Sequence, residues 1–256
     1  MTISTDALTV GYHGTAIVQS VKLTVPHGKI TALLGPNGCG KSTLLKAFAN
    51  ILKPMSGDVY WENQPLQELS AKHLSTQLAL LPQTQPIPEG IKVKDLVAYG
   101  RSPHTGFWGN LSTTDLAIVQ SMMVQTNVDE LADKLVSELS GGQRQRVWLA
   151  MILAQETPYL LLDEPTTYMD INHQVELMHT LRALNNQGKT VVTVLHDINQ
   201  AARYCDHLIV MKAGVLICQG TPSEVLTTEM LQAVFDLKAQ VHKDPVSGTP
   251  MCIVED

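Results

Sequence analysis

The sequence contains no apolar run long enough to cross a lipid bilayer. The longest such run, from Val147 to Ala154, has eight residues, whereas a membrane-spanning helix needs about 18 or more. The N-terminal segment from Met1 to Asp6 also lacks a basic stretch followed by an apolar one, which is the pattern of a secretion signal. We therefore expect a chain that crosses no membrane and stays in the cytoplasm.

An excess of positive charge and metal-binding cysteine spacing are missing as well. The formal net charge of −6 gives no general attraction to nucleic acid, although a local basic patch remains compatible with it. No CxxC spacing occurs among the four cysteines, which are Cys39, Cys205, Cys218 and Cys252. In a cytoplasmic chain they are expected to be reduced thiols rather than disulfides or metal ligands.

The length and composition that are present favour one globular domain. A chain of 256 residues is long enough for one substantial α/β domain with an inserted subdomain, and too short for two full domains of average size. Hydrophobic residues make up 44% and charged residues 16%, which does not favour disorder or a coiled coil. No internal repeat or low-complexity tract is visible.

Strand patterns appear in both halves of the chain. Alternation of apolar and polar residues from Val21 to Val25 predicts a half-buried strand. A second strand, Lys29 to Leu34, leads into a glycine-rich turn and then a helix reaching about Asn50. The short apolar runs from Tyr159 to Leu162 and from Thr190 to Leu195 are typical of strands buried on both faces. Together they predict a mostly parallel central sheet.

Helical patterns connect these strands. Leu177, Leu181 and Leu184 form the stripe of a helix packed on the sheet, which ends at Gly188. The stretch 84–156 lacks strand alternation and predicts a helical subdomain inserted between two parts of the core, 1–83 and 157–240. Residues 241–256 contain prolines and a glycine, so we expect a short irregular tail over the core.

A phosphate-binding loop is predicted where the second strand meets its helix. The segment fits GxxxxGK[ST] in the required strand-loop-helix context. Its glycines let backbone N–H groups turn toward a phosphate, Lys41 should reach the β- and γ-phosphates and Ser42 should bind Mg²⁺. The alternative is a glycine-rich turn with an incidental Lys-Ser pair. The candidate nucleotide-binding residues are Gly35, Pro36, Asn37, Gly38, Cys39, Gly40, Lys41, Ser42 and Thr43.

Two acids end the apolar strand that finishes at Leu162. Asp163 is expected to hold Mg²⁺, directly or through water, and Glu164 to polarise the water that attacks the triphosphate. Without a phosphate loop, two acids after a strand are more often a solvated turn. With the loop in the same chain, the catalytic interpretation is favoured.

The segment Leu139 to Gln143 reads LSGGQ, and here the chain resembles the ATP-binding-cassette (ABC) family. Ser140, Gly141 and Gly142 open a predicted helix, and such a turn can bind an anion or merely cap the helix. It lies between the phosphate loop and the acidic strand end, where this family places its signature. The resemblance implies a P-loop NTPase (RecA-like) core, an N-terminal antiparallel β part and the inserted helical subdomain.

The resemblance covers nearly the whole chain and implies roles for five more residues. Tyr12 stands where the family has an aromatic that stacks on adenine, although it could equally be an ordinary turn residue. Gln83 resembles the glutamine that senses Mg²⁺ and joins the core to the helical subdomain. Asp170 resembles the acid that crosses to the partner subunit, and His196 the histidine that contacts the γ-phosphate. Gln143 completes the signature as a nucleotide contact.

Narrower stretches resemble the ATPases of iron-chelate importers, a group that also serves haem and cobalamin uptake. These stretches are Leu96 to His104, Asp163 to Gln174 and Leu195 to Ala201. The tail from Asp244 to Cys252 resembles ferric-citrate-type systems. The resemblance implies ATP and Mg²⁺ as cofactors, a nucleotide-bridged homodimer, integral-membrane permease subunits and, indirectly, a solute-binding protein. It also implies a peripheral location on the cytoplasmic face of the inner membrane.

Other classes of ABC protein remain as alternatives. One is a soluble ATPase without a permease, such as the scaffold-assembly ATPase of iron–sulfur cluster biogenesis. DNA-repair and translation-associated ABC proteins usually carry two cassettes or a long insertion, and neither is present here. For an importer subunit, we expect the segment after Gln83, through Arg101, Phe107 and Trp108, to help form the permease docking surface. The two aromatics could instead pack inside the helical subdomain.

Overall fold

A computed structural model describes residues 2–105 and 109–255. These residues form twelve β-strands, which are β1 (Ile3–Tyr12), β2 (Thr15–Val25), β3 (Ile30–Leu34), β4 (Ser56–Trp61), β5 (Gln64–Pro65), β6 (Leu78–Leu81), β7 (Tyr159–Leu162), β8 (Thr190–Val194), β9 (His207–Lys212), β10 (Val215–Gly220), β11 (Ala239–Lys243) and β12 (Pro250–Val254). The same described residues form ten α-helices, which are α1 (Lys41–Phe48), α2 (Ala71–Gln77), α3 (Val93–Ala98), α4 (Ser102–Thr105), α5 (Thr113–Gln125), α6 (Gly141–Ala154), α7 (Ile171–Asn186), α8 (Ile198–Tyr204), α9 (Pro222–Val225) and α10 (Thr228–Phe235). Short 3₁₀ helices lie at Leu66–Glu68, Tyr99–Arg101, Asp129–Leu131 and Val136–Glu138.

The chain divides into two compact units, the first of which comprises Met1–Leu69 and Asn185–Asp256. Its N-terminal part is an antiparallel sheet in the order β2-β1-β4-β5. On β2 the apolar residues Val21, Leu23 and Val25 are buried and the polar residues between them are exposed. The alternation therefore predicted this strand correctly, and the N-terminal antiparallel part that the resemblance implied is present.

The parallel part of the first unit centres on β3. This strand pairs in parallel with β8 on one side and β9 on the other, and β10 continues antiparallel to β9. Every residue of β3 and of β8 is buried. Such complete burial explains why both strands are continuous apolar or small-polar runs, as strands covered on both faces are.

The second unit comprises Ser70–Leu184 and contains the parallel pair β6 and β7 with the helices around it. All four residues of β7 are buried. Helices α3, α5 and α6 share an apolar core built from Val93, Val97, Val119, Met123 and Val147. The described part of 84–156 is thus mainly helical, while the boundaries of the subdomain proposed from sequence stay a prediction.

The prediction of an irregular C-terminal tail is wrong. β11 and β12 form an antiparallel hairpin that pairs Ala239 with Val254 and Lys243 with Pro250. Asp244 accepts a hydrogen bond from the backbone N–H of Val246 and closes the turn, so the turn-forming residues connect two strands instead of preventing them. The side-chain amide of Asn199 donates to the carbonyl of Cys252 at 3.0 Å and accepts from its N–H at 2.7 Å, which fixes β12 beside α8.

None of the helices formed by the described residues combines the length and the apolar character that crossing a bilayer requires.

Candidate nucleotide-binding and catalytic site

The glycine-rich loop joins β3 to α1 in a conformation that depends on its glycines. Gly35 has a φ of 146°, and a Cβ there would collide with the carbonyl of Met211. Gly40 caps α1 with a φ of 103° and has no side chain that could bind the first-turn N–H groups. An anionic group can therefore occupy this end of the helix, where the helix dipole is positive.

Lys41 is the first residue of α1, and the loop curls around its ammonium group. The Nζ atom donates to the carbonyl of Gly35 at 2.7 Å and to that of Pro36 at 3.1 Å, and the residue is only 5% exposed. A positive charge is thus held inside the curve of the loop. This charge and the helix N-terminus together favour a polyphosphate-binding loop over a glycine-rich turn with an incidental Lys-Ser pair.

Cys39 lies in the same loop and is buried. Its side chain is 3% exposed, and its Sγ atom is 3.9 Å from the Nζ of Lys41. Burial raises the pKa of the Cys39 thiol, and the neighbouring Lys41 charge only partly opposes this effect. The thiol is therefore protonated at neutral pH and packed within the loop.

His196 follows β8, the parallel neighbour of β3. Leu33 is paired with Val194 in this ladder, and the N–H of Leu195 donates to the carbonyl of Leu33 at 3.4 Å. The carboxyl ends of parallel neighbours lie at one edge of a sheet, so the phosphate loop and the exposed His196 emerge on the same side. Asp197 begins α8 by accepting a hydrogen bond from the N–H of Gln200.

Tyr12 ends β1 and remains accessible. The residue is 37% exposed, and the Nζ of Lys46 on α1 lies 5.8 Å from the ring centroid and 3.4 Å from the hydroxyl group. The aromatic ring is therefore held near the helix that starts at the phosphate loop. Its stacking on adenine stays a prediction.

In the second unit, the acidic strand end lies beside the segment that carries Gln83. The N–H of Asp163 donates to the carbonyl of Leu81 at 2.9 Å and extends the β6–β7 ladder by one step. Gln83 is exposed two residues beyond the end of β6, and Asp163 is 2% exposed directly after β7. The pairing of β6 with β7 thus places an amide and a carboxylate at one sheet edge.

Glu164 has a backbone conformation that is unusual for its residue type. Its φ is 53°, in the left-handed region that non-glycine residues seldom adopt, and it precedes Pro165. The N–H of Thr167 donates to the carbonyl of Glu164 at 3.2 Å and closes the turn. Residues held in such conformations need support from surrounding structure and cluster at functional sites.

The signature segment forms the start of α6 with a complete capping box. The hydroxyl of Ser140 accepts from the N–H of Gln143 at 3.3 Å, and the side chain of Gln143 accepts from the N–H of Ser140 at 3.1 Å. A Cβ at Gly141 would lie 3.2 Å from the Cβ of Tyr168. The two glycines therefore let the turn approach the loop that follows Glu164.

Asp170 ends that loop and caps α7. Its Oδ1 accepts from the N–H of His173 at 2.9 Å and lies 2.8 Å from the ring Nδ1 of the same residue. The hydrogen bond from the His173 N–H is the main cause that holds the pKa of Asp170 below its ordinary value. The carboxylate is nevertheless 66% exposed, so the cap leaves it accessible to a partner.

The prediction that Arg101 belongs to a docking surface is wrong. Arg101 is 5% exposed, and its guanidinium donates to Asp115 at 2.8 Å, to the carbonyl of Ala154 at 2.7 Å and to Glu156 at 2.8 Å. Arg101 therefore forms buried ion pairs within the second unit and is not available at the surface. Phe107 and Trp108 lie outside the described residues.

Sequence reasoning missed one polar residue near the acidic strand end. Gln145 is 5% exposed on α6, and its Nε2 donates to the carbonyl of Pro165 at 3.2 Å. The signal was present in the sequence, because Gln145, Leu149 and Ile152 follow the i, i+4, i+7 spacing of one helix face. A glutamine in an otherwise apolar stripe indicates a specific buried partner.

Comparison with known proteins assigns the family. The ABC transporter family model matches residues 18–167, more than half of the chain. The chain is 44% identical to the iron(3+)-hydroxamate import ATP-binding protein FhuC of Bacillus subtilis (strain 168), covering 99% of this chain and 95% of that protein. It is 42% identical to the ferric enterobactin transport ATP-binding protein FepC of Escherichia coli (strain K12), covering 97% and 92%.

More distant similarity extends to other members. A cobalamin import ATP-binding protein, BtuD of Halobacterium salinarum, is 39% identical and is covered over 62% of its length. Among solved structures, the dimeric cassette MJ0796, a bacterial ABC transporter cassette, superposes with a TM-score of 0.76 at 28% identity, covering 86% of this chain and 98% of that one. The fold, the phosphate loop and these similarities show that the chain belongs to the ABC transporter family, as one of its ATP-hydrolysing, ATP-binding subunits.

Proposed function

We propose that this chain is the ATP-hydrolysing subunit of an ABC importer for iron(III) chelates of the siderophore class, acting as a homodimer on the cytoplasmic face of the cell membrane. The observation that carries the proposal is its similarity, over nearly its whole length, to ATP-binding proteins for two chemically different ferric chelates. The cobalamin relative is less similar and much longer than this chain. Ferric citrate is the variant of this substrate class suggested by the C-terminal sequence.

Within this proposal, the chain's own residues divide the work of binding ATP. The loop from Gly35 to Thr43 encloses the phosphates, Lys41 neutralises their charge and Tyr12 stacks on the adenine. Ser42, Gln83 and Asp163 offer a hydroxyl, an amide and a carboxylate, which are the oxygen donors that Mg²⁺ prefers. When bound, Mg²⁺ would neutralise charge on the phosphate oxygens.

Hydrolysis requires a water aligned with the terminal phosphate. Glu164 would accept the proton of that water, and His196 would hydrogen-bond the terminal phosphate. The supporting geometry is local to each unit: Glu164 directly follows the buried Asp163, and His196 emerges on the same sheet edge as the phosphate loop. The left-handed backbone of Glu164 is consistent with a side chain held in a defined position.

The homodimer explains why the chain has two anion-binding elements. The Ser140 to Gln143 turn opens α6, a 14-residue helix, and would bind the triphosphate held by Lys41 of a second copy. Asp170 is exposed and available to that second copy. A related cassette is dimeric in its solved structure, which supports the same arrangement here. Permease subunits and, indirectly, a solute-binding protein would complete the importer.

Uptake by cells tests the function directly. In cells of the native organism from which this chain has been deleted, we expect uptake of labelled ferric hydroxamate, ferric catecholate or ferric citrate to be lost. Expression of the wild-type chain should restore uptake, whereas expression of Lys41→Ala should not. Uptake of labelled cobalamin or haem measured in parallel distinguishes the alternative cargoes. Loss of cobalamin or haem uptake alone would overturn the assignment to iron chelates. Normal uptake of every compound would indicate an ABC ATPase without a permease.

A further inference from the structure

Gln145 connects the signature helix to the segment that carries the proposed catalytic base. It lies five residues after Ser140, in the second turn of α6, and is 5% exposed. Its Nε2 donates to the Pro165 carbonyl at 3.2 Å. Replacing Gln145 with an apolar side chain would remove this donor from the carbonyl of Pro165.

The carbonyl that Gln145 holds belongs to the residue directly after Glu164. Residue 164 combines a positive φ of 53° with a following proline, which normally favours extended backbone in the residue before it. Pro165 itself is buried. Fixing the Pro165 carbonyl restrains the peptide unit that follows Pro165. Because the proline ring also fixes φ of Pro165, this restraint limits how far the backbone at Glu164 can move.

The start of α6 and the loop that follows Glu164 also approach each other at a second place. A Cβ at Gly142 would lie 3.4 Å from the carbonyl of Tyr168, and one at Gly141 would lie 3.2 Å from the Cβ of Tyr168. Tyr168, in the loop after Glu164, thus lies close to the first turn of α6, and the same loop is hydrogen-bonded to its second turn. A displacement of α6 would be transmitted to this loop through both contacts.

We propose that Gln145 is a positioning residue that couples the signature turn to Glu164. Its hydrogen bond to Pro165 makes the placement of the base depend on the placement of α6, so occupation of the signature turn by nucleotide would be transmitted to the hydrolytic residue. Gln145 does not touch the reacting atoms in this role. The inference rests on the proposed function of Glu164 and of the signature turn.

The test replaces Gln145 with methionine, which keeps the length and burial of the side chain but cannot donate. In the full-length chain we expect kcat for ATP hydrolysis to fall about 10-fold or more, because a small misplacement of a catalytic group has large kinetic effects. The dissociation constant for ATP should stay within about twofold, since Lys41 and the loop are unchanged. The control is Gln155→Met, because Gln155 directly follows the same helix and donates to the carbonyls of Ser75 and Leu78, away from Glu164.

A double-variant comparison separates positioning from simple destabilisation. If Gln145 acts through Glu164, adding Gln145→Met to Glu164→Gln should change the residual rate by less than about twofold, because the two residues act as one unit. The full effect of Gln145→Met persisting in that background would overturn the proposal, and so would a kcat equal to that of Gln155→Met. Near-normal hydrolysis by Glu164→Gln alone would instead contradict the proposed function of the base.

Discussion

The backbone N–H of Asp163 is hydrogen-bonded to the carbonyl of Leu81 at 2.9 Å, which fixes the end of β7 beside the end of β6. Glu164 follows one residue later, and Gln83 two residues later on the neighbouring segment. A shift of this ladder by one residue would turn every side chain to the opposite face. The proposed hydrolytic site therefore depends on strand register as much as on the identity of its residues.

The first prediction concerns Glu164 as the base. Glu164→Gln keeps the shape of the side chain but removes its charge, and we expect ATP turnover to fall about 10²–10⁴-fold, or roughly 2.7–5.4 kcal/mol of barrier. ATP should still bind with similar affinity. Steady-state phosphate release and equilibrium nucleotide binding measure the two effects. Glu130→Gln, an exposed acid in the same unit, is the control and should hydrolyse ATP normally.

The second prediction is an ATP-dependent homodimer. Because each nucleotide would be bound by both copies, the mass of Glu164→Gln in sedimentation should shift from monomer to dimer as ATP is added. Adding Ser140→Ala should weaken this shift, since it removes the hydroxyl from the signature turn. A mass that does not respond to ATP would rule out the bridged dimer.

The control for Ser140 is Ser112, which caps α5 with the same kind of capping box. Ser112→Ala should cost about 1 kcal/mol of stability through loss of the helix cap, as Ser140→Ala also should. Only the Ser140 variant should lose ATP-dependent association. Equal association by both variants would show that Ser140 is merely a cap.

The sequence was most informative where a local pattern and a buried environment coincide. The run Tyr159–Leu162 matches β7 residue for residue, and the loop from Gly35 to Ser42 has the predicted strand before it and helix after it. These features depend on neighbours in the chain. Periodicity and turn chemistry are therefore sufficient to find them.

The features that sequence reasoning missed depend on partners distant in the chain. β12 is held by a side chain 53 residues away, Asn199. Arg101 is buried because Asp115 and Glu156 meet it in three dimensions, although an arginine in a sequence favours an exposed position. The hydrogen-bond partner of the buried Gln145 is likewise a carbonyl 20 residues later in the chain. Long-range pairing of this kind leaves little local signal.

The third prediction concerns the reactivity of Cys39. A thiol in the phosphate loop suggests sensitivity to thiol reagents, but Cys39 is 3% exposed and burial raises its pKa. Burial raises the pKa of the Cys252 thiol as well, so the two residues differ mainly in exposure. N-ethylmaleimide at pH 7 should therefore label the buried Cys39 more slowly than the partly exposed Cys252. MgATP should slow its labelling further. Time-resolved peptide mapping by mass spectrometry measures both rates, and faster labelling of Cys39 would contradict the buried geometry.

The fourth prediction uses the ion pair between Arg101 and Asp115. Hydrogen bonds from Ser112 and then from Arg101 lower the pKa of Asp115 to about 2. A carboxylate with a lowered folded-state pKa contributes stability that is complete above its unfolded value, near 3.9, and is lost as the pH falls through its folded value. The contribution of Asp115 should therefore be constant above about pH 5 and decline between about pH 4 and pH 2.

Thermal unfolding of Asp115→Asn over this pH range tests the sign of that contribution. The asparagine removes the charge and leaves the buried guanidinium of Arg101 with only one of its two carboxylate partners, Glu156, so we expect a Tm several degrees below wild type at pH 7. The difference in Tm should shrink as the pH is lowered from about 4 to 2, because the wild-type carboxyl then becomes neutral too. Asp95→Asn, an exposed acid in α3, is the matched control and should show a small, nearly constant difference. If the difference in Tm between wild type and Asp115→Asn remained unchanged down to pH 2, the Ser112 and Arg101 contacts would not stabilise the charged form of Asp115.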